Sequence, residues 1–251
     1  MVEQASYVYG VVDDARLPPL PEGIDGRPVR LVAGDGLFAL VSSVSRLPVR
    51  ASRRNLEAHT AVLRAMLAEA NVLPMRFGGA MPSDAAVAAE LLAGEREMLA
   101  QLLMRLEGKL EFELKVVFEE ATLLAEVVAA RADIRRLRER VRQIPASAAY
   151  YERLQLGELV HASLERKRAE EGYRLLATLA PHAADLRVAE ELPESVLLKA
   201  AFLVERARVE RFERAVDDIV RAEAPRLQFR LYGPLPPFSF SDVPLAAGAS
   251  T

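Results

Sequence analysis

The chain has only three histidines, His59, His161 and His182, with which to do imidazole chemistry, and it has no cysteine. Glu158 and His161 stand at Glu-x-x-His spacing with Glu165 further along, so a helix would bring these metal-capable groups close together. Carboxylate-bridged centres need a second Glu-x-x-His and two more glutamates from facing helices, and no second copy occurs. The triplet therefore reads as a solvated or salt-bridged helix face. Gly34-Asp35-Gly36-Leu37-Phe38-Ala39 fits a loose G-x-G-x-x-A, but the residues that follow have strand character, whereas a dinucleotide loop must open a helix. A hairpin turn is expected there. Neither G-x-S-x-G nor a Walker loop is present, and His59 and His182 lie in no nucleophile motif. Acidic pairs such as Glu119-Glu120 and Glu190-Glu191 fall at element ends, where exposed carboxylates are ordinary. No catalytic constellation emerges, so a non-enzymatic protein without cofactor or metal is expected.

The elements that would position these residues fall into two halves. In the first, Tyr7 to Val12 is rich in β-branched and aromatic residues and predicts a strand. Val29 to Ala33 and Leu37 to Val41 flank the glycine turn as a hairpin. Ser52 is positioned to cap a helix to Ala70 with Leu56, Leu63 and Leu67 on one side. Val72 to Phe77 predicts a short strand, and Ser83 or Asp84 caps a helical region reaching Leu106 with a break at Gly94.

In the second half, Leu110, Phe112, Leu114 and Val116 alternate with Glu111, Glu113 and Lys115, as a half-buried strand requires. A long helix over Glu120 to Ile144 stops at Pro145, and another runs from about Ala148 to Ala180. Strands over 185–190 and 196–205, a helix over 208–222 and a strand over 226–232 complete a βα(α)ββαβ order. The fold class is α+β with two domains: an N-terminal mixed α/β domain (1–107) and a C-terminal ferredoxin-like domain (108–232), its first helix expanded into a hairpin over about 120–180. Residues 233–251 form a Pro/aromatic tail.

Leu123, Val127, Ala130, Ile134, Leu137, Val141 and Ile144 alternate spacings of four and three, a coiled-coil seam over three heptads. It can close against Leu156, Leu159, Val160 and Leu164 of the next helix, or it can meet a partner or a second copy. Arg131, Arg135, Arg136, Arg138, Arg140 and Arg142 in that helix face only Asp133 and Glu139. A solvated face explains this concentration, as does an anionic or acidic partner.

Composition narrows the class further. Of 251 residues 51% are hydrophobic and 27% charged, enough apolar material for a sizeable core and unlike a disordered chain. The net charge of −3 offers no global basic excess for a polyanion, so no nucleic-acid partner is expected. Glu3 stands where a signal peptide carries basic residues, and the most apolar helical window, 121–130, is too short to span a bilayer and contains Glu126. A cytoplasmic protein without membrane contact is expected.

Two segments carry a family resemblance. Asn71-Val72-Leu73-Pro74-Met75-Arg76-Phe77-Gly78, following Glu57-Ala58-His59, and Gly233-Pro234-Leu235-Pro236-Pro237-Phe238-Ser239-Phe240 near the C-terminus resemble the signatures of the GvpL/GvpF gas vesicle family. Tyr7-Val8-Tyr9-Gly10-Val11 and Gly108-Lys109-Leu110-Glu111 fit the same pattern. Leu235 departs from it where members usually carry Trp, and Phe238 where they often carry Tyr. The resemblance implies an accessory or structural protein of gas vesicle formation that binds the small hydrophobic shell protein and other vesicle proteins during assembly. The alternative is a scaffold component that self-associates through its helical hairpin. On this reading Leu73, Pro74, Met75, Arg76, Phe77 and Gly78, with Gly233, Pro234, Leu235, Pro236, Pro237, Phe238 and Phe240, contact a partner or hold the fold. Leu73, Met75 and Phe77 would form one buried strand face with Arg76 turned the other way, and the tail would cover a groove on the N-terminal domain.

Overall fold

The computed structural model describes residues 5–145, 148–224 and 226–243. It combines α-helices with two antiparallel sheets, and the chain divides into two compact units, 1–111 with 233–251, and 112–232.

The sheet of the first unit is built around β1 (Ala5–Val12), every residue of which is buried. A strand paired on both edges and covered on both faces has no polar side to show, which is why Tyr7, Val8, Tyr9, Val11 and Val12 run without alternation. β2 (Arg30–Gly34) and β3 (Leu37–Val44) form the expected hairpin, with Asp35 and Gly36 both at positive φ, as a tight two-residue turn demands. The order is β2-β3-β1-β4, with β5 also on β1. The β1–β3 register shifts between Val8 and Gly10. Gly10 is required there, because a Cβ would sit 2.7 Å from the Leu73 carbonyl oxygen.

Helix α1 (Arg53–Glu69) is capped by Ser52, whose side chain accepts the Asn55 N–H, and buries His59, Val62, Leu63, Met66 and Leu67. Leu56 departs from the expected apolar face and is 43% exposed, because cover on this helix begins one turn later, at His59. The predicted strand over 72–77 is reduced to β4 (Leu73–Pro74), and the chain returns to β1 as β5 (Ala80–Met81). Pro74 cannot continue the ladder, so residues 75–79 form a loop, with Gly78 at φ +99°. Ser83 caps α2 (Asp84–Ala86), which widens into a π-helical turn over Val87–Ala93 before α3 (Arg96–Leu106).

In the second unit the four-stranded sheet is ordered β7-β8-β6-β9, with β6 at Lys109–Phe118, β7 at Asp185–Val188, β8 at Val196–Glu205 and β9 at Leu227–Leu235. β9 thus extends past the expected stop at Tyr232 and takes in Gly233, Pro234 and Leu235. The predicted helix over 120–144 is two helices, α4 (Glu120–Ala130) and α5 (Ala132–Gln143). Arg131 between them is extended (φ −107°, ψ 103°) and is held by Asp133 and by the Ser163 hydroxyl. This break interrupts the seam. Leu123, Val127, Ile134 and Leu137 are buried, whereas Ala130 is exposed and Val141 and Ile144 are only half-buried. Helix α6 (Tyr150–Leu179) packs against α4 and α5, and α7 (Val209–Glu223) inserts Phe212 between Phe112 and Phe202, with ring centroids 5.3 Å apart in both pairs. Arg226 lies among Glu126, Glu171 and Glu223 at 2.5–2.8 Å, with Lys167 and Arg174 on the same carboxylates. Its guanidinium pulls the Glu126 carboxyl down to about 2.

Candidate functional site

In the first unit, the loop after β4 and the C-terminal motif meet over a buried polar knot. Tyr7 and Tyr9 come from one face of β1, and the α1 cap and helical spacing place His59 against both rings. His59 Nε2 lies 3.1 Å from the Met75 carbonyl, which can only accept, so that nitrogen carries the proton. Nδ1 then accepts from the Tyr7 hydroxyl at 2.9 Å, and the same hydroxyl oxygen accepts the Gly78 N–H at 3.2 Å. Tyr9 closes a parallel route: its carbonyl accepts the Met75 N–H at 2.8 Å, while its hydroxyl meets Ser42 at 2.7 Å and accepts the Ile24 N–H at 2.7 Å. His59 is 2% exposed and both tyrosines are fully buried. Burial lowers the imidazole to about 4 and raises both phenols, so all three are neutral near pH 7.

The tail closes over this knot. Phe238 stacks on His59 (centroids 6.1 Å, interplanar 29°), and Phe77 meets the same ring edge-on at 5.7 Å. Ser241 Oγ donates to the Pro74 carbonyl at 3.0 Å, and Phe240 is fully buried. Glu111 accepts both the Ser239 N–H and its hydroxyl at 2.8 Å and is 3% exposed, against the expectation that it lies on the polar side of its strand. A carboxylate is the right acceptor there, because it takes two donors at once without offering one. Arg76 reaches Asp242 at 3.0 Å in an exposed pair, which is worth little by itself.

The structure therefore brings Leu73–Gly78 and Pro236–Phe240 together within one unit. Leu73, Pro74 and Met75 are consecutively buried, Phe77 is partly covered and Arg76 is exposed, which replaces the expected alternation with a loop wedged under the tail. The part of the tail from residue 244 on lies outside the described residues. The sequence places His59, Tyr7, Tyr9 and Glu111 within the resemblance but gives none of them a role in a site. The usable signal was His59 among the apolar positions of α1, where a lone buried imidazole must find partners. Glu158, His161 and Glu165 lie exposed on α6, with Glu165 paired to Arg168 at 2.7 Å. Among the described residues no group of three His, Asp or Glu side chains is arranged to hold a metal ion. Chemically, the three neutral rings of His59, Tyr7 and Tyr9 can anchor the 75–79 loop, and the Glu111 carboxylate beside them fixes the tail through Ser239.

The family model for "Gas vesicle synthesis protein GvpL/GvpF" matches residues 5–242. This chain belongs to the GvpL/GvpF family. Its members' description ties the protein to gas vesicle synthesis, and theirs is not a known enzyme family. Gas vesicle protein F of Streptomyces sp. (strain CB03234) is 36% identical over 94% of this chain and 99% of its own length. Gas vesicle protein L of the same strain is 29% identical, covering 96% and 94%. The crystal structure of GvpF from Anabaena sp. PCC7120 superposes with a TM-score of 0.84 at 25% identity, covering 96% of this chain and all of that one. Both stretches that carry the resemblance lie inside the GvpL/GvpF match, and Leu73–Gly78 and Phe238–Phe240 are the parts of them that line the knot. No described helix is long and apolar enough to cross a membrane.

Proposed function

We propose that this GvpL/GvpF protein is a non-enzymatic accessory factor, acting in the cytoplasm and at the vesicle, that binds the hydrophobic shell protein and other vesicle proteins during assembly. The observation that carries the reading is the convergence of the two signature segments on one buried knot, with Arg76 and part of Phe77 left at the surface. Buried members hold the loop and tail in place, and the rim is available to a partner. The domain reading goes with it. Residues 108–232 form a ferredoxin-like domain whose strand order β7-β8-β6-β9 suits that topology, 1–107 form the other domain, and the tail begins at 233, its described part to 243 covering the first unit. The F type is favoured over the L type by 36% against 29% identity to the two Streptomyces proteins. Self-association through the Leu123–Ile144 seam is disfavoured, because Leu123, Val127, Ile134 and Leu137 are already buried within their own unit.

The test is co-expression and capture of the small shell protein by the wild type, Arg76→Glu and Phe77→Ser, with each variant's fold checked by circular dichroism. Cutting after Tyr232 is a poorer test, since it strips Phe238 and Phe240 from the first unit. Capture by the wild type that is lost in a folded variant supports the reading. Capture unchanged in both variants rejects the rim as the contact, and no capture by the wild type rejects shell binding.

A further inference from the structure

The end of the helical hairpin carries features that neither its packing nor the knot uses. Three of the large exposed hydrophobic residues fall within five positions, Tyr150 at 68%, Tyr151 at 79% and Leu154 at 52%. Alongside them, Arg136, Arg138, Arg140 and Arg153 have no ion-pair partner among the described residues, and Arg142 only approaches Glu139 at 4.0 Å. This sits in a protein whose net charge is −3.

Geometry sorts these side chains onto two flanks. Arg131 bonds Ser163 across the helix pair. In an antiparallel arrangement with equal rise, Arg142 then stands level with about Glu152 and Arg138 with about Leu156. Turning each helix at about 100° per residue from its buried stripe (Ile134 and Leu137 in α5; Ser163 in α6) puts Arg138, Arg142, Arg153, Tyr150 and Gly157 on one flank. Leu154, nine residues from Ser163, turns to the outer back of α6, where it adjoins Tyr150 one turn away. Asp133 and Glu158 turn to the opposite flank, with Arg136 and Arg140, and Glu139 turns to the back of α5. The first flank is thus a groove between two helices with arginines on both walls and an apolar outer lip. At Gly157 nothing lies within 4 Å of where a Cβ would stand, so a backbone can approach closely.

We infer that this flank docks an acidic amphipathic helix of a second protein, its carboxylates on Arg138, Arg142 and Arg153 and its apolar face on Tyr150 and Leu154. Arginine suits carboxylates through its planar fork of donors, and tyrosine with arginine is the composition of contact hot spots. A groove between two antiparallel helices accepts a third at ordinary interhelical distance. This inference is independent of where the shell protein binds.

The test uses the purified full chain and a fluorescein-labelled amphipathic peptide of about 20 residues with Leu on one face and Glu on the other, beside a counterpart with every Glu replaced by Lys. The wild type should bind the Glu peptide at least about tenfold more tightly than the Lys peptide, and raising the salt from about 50 to 300 mM should weaken it. Arg138→Glu/Arg142→Glu should lose about tenfold or more and flatten the salt dependence, while Arg136→Glu/Arg140→Glu, with the same charge change on the other flank, should lose several-fold less. Tyr150→Ser/Leu154→Ser should weaken binding with the salt dependence intact. All altered side chains are exposed, and circular dichroism confirms the fold of each variant. Equal loss from the two arginine pairs, or no loss from the Tyr150/Leu154 pair, overturns the inference. So does binding to phosphatidylserine vesicles without binding to the Glu peptide, which would make the patch a lipid contact.

Discussion

Replacing His59 by Gln should remove a pH dependence of stability while keeping most of the knot. The amide can donate to the Met75 carbonyl and accept from Tyr7, so at about pH 7 the cost is about 1 kcal/mol. The wild-type imidazole is held at about 4 in the fold against 6.5 for the free side chain. The unfolded chain therefore binds the extra proton first, and the stability contributed by neutral His59 is complete above about pH 6.5 and falls as the pH drops toward about 4. With 2% exposure there is little solvent screening to discount. The linkage relation gives a loss of about 2 kcal/mol by pH 5 and about 3 kcal/mol by pH 4 for the wild type relative to the variant. Urea unfolding of both proteins across this range, followed by far-UV circular dichroism because the chain has no Trp, measures the difference at each pH. Hydrogen exchange at the 75–79 loop assigns it to the first unit. Carboxylate titrations elsewhere cancel in the comparison. A difference that stays constant within about 0.5 kcal/mol from pH 7 to pH 4 would refute a buried neutral imidazole as the centre of the knot.

Arg226→Met removes the guanidinium that contacts Glu126, Glu171 and Glu223, whose side chains are 29%, 13% and 14% exposed. Thermal unfolding should show a loss of about 2 kcal/mol, below the value for a fully buried pair because water partly screens the carboxylates. Gly10→Ala places a methyl 2.7 Å from the Leu73 carbonyl oxygen and should cost about 1–3 kcal/mol in urea unfolding; an unchanged midpoint would mean that β1 and β4 are not so closely apposed. Glu111→Ala leaves the Ser239 N–H and hydroxyl without their acceptor, a loss of about 2 kcal/mol. Limited proteolysis should cut the variant between about 236 and 243 sooner than the wild type.

Features set by neighbouring residues were legible in the sequence. The Asp35-Gly36 turn, the Ser52 cap and the limits of β8 at Val196 and Glu205 follow from local φ preferences, side-chain-to-backbone bonding and strand periodicity, which act over a few residues. Periodicity also located the α5 stripe of Ile134 and Leu137, but it ran on through Arg131. A one-residue break barely disturbs a four-three spacing, whereas an extended Arg131 held by Ser163, 32 residues away, ends one helix and starts another. Alternation marked Glu111 as polar-facing because it reports which side a residue is on, not what later covers that side. The covering serine lies 128 residues on. Likewise nothing local to Leu73–Gly78 or to the tail predicts that Phe238 stacks on His59 or that Ser241 bonds Pro74, 167 residues apart. Such contacts exist only once the chain has closed on itself and water has left, and it is that exclusion which turns an imidazole, two phenols and a carboxylate into the knot that holds both signature segments.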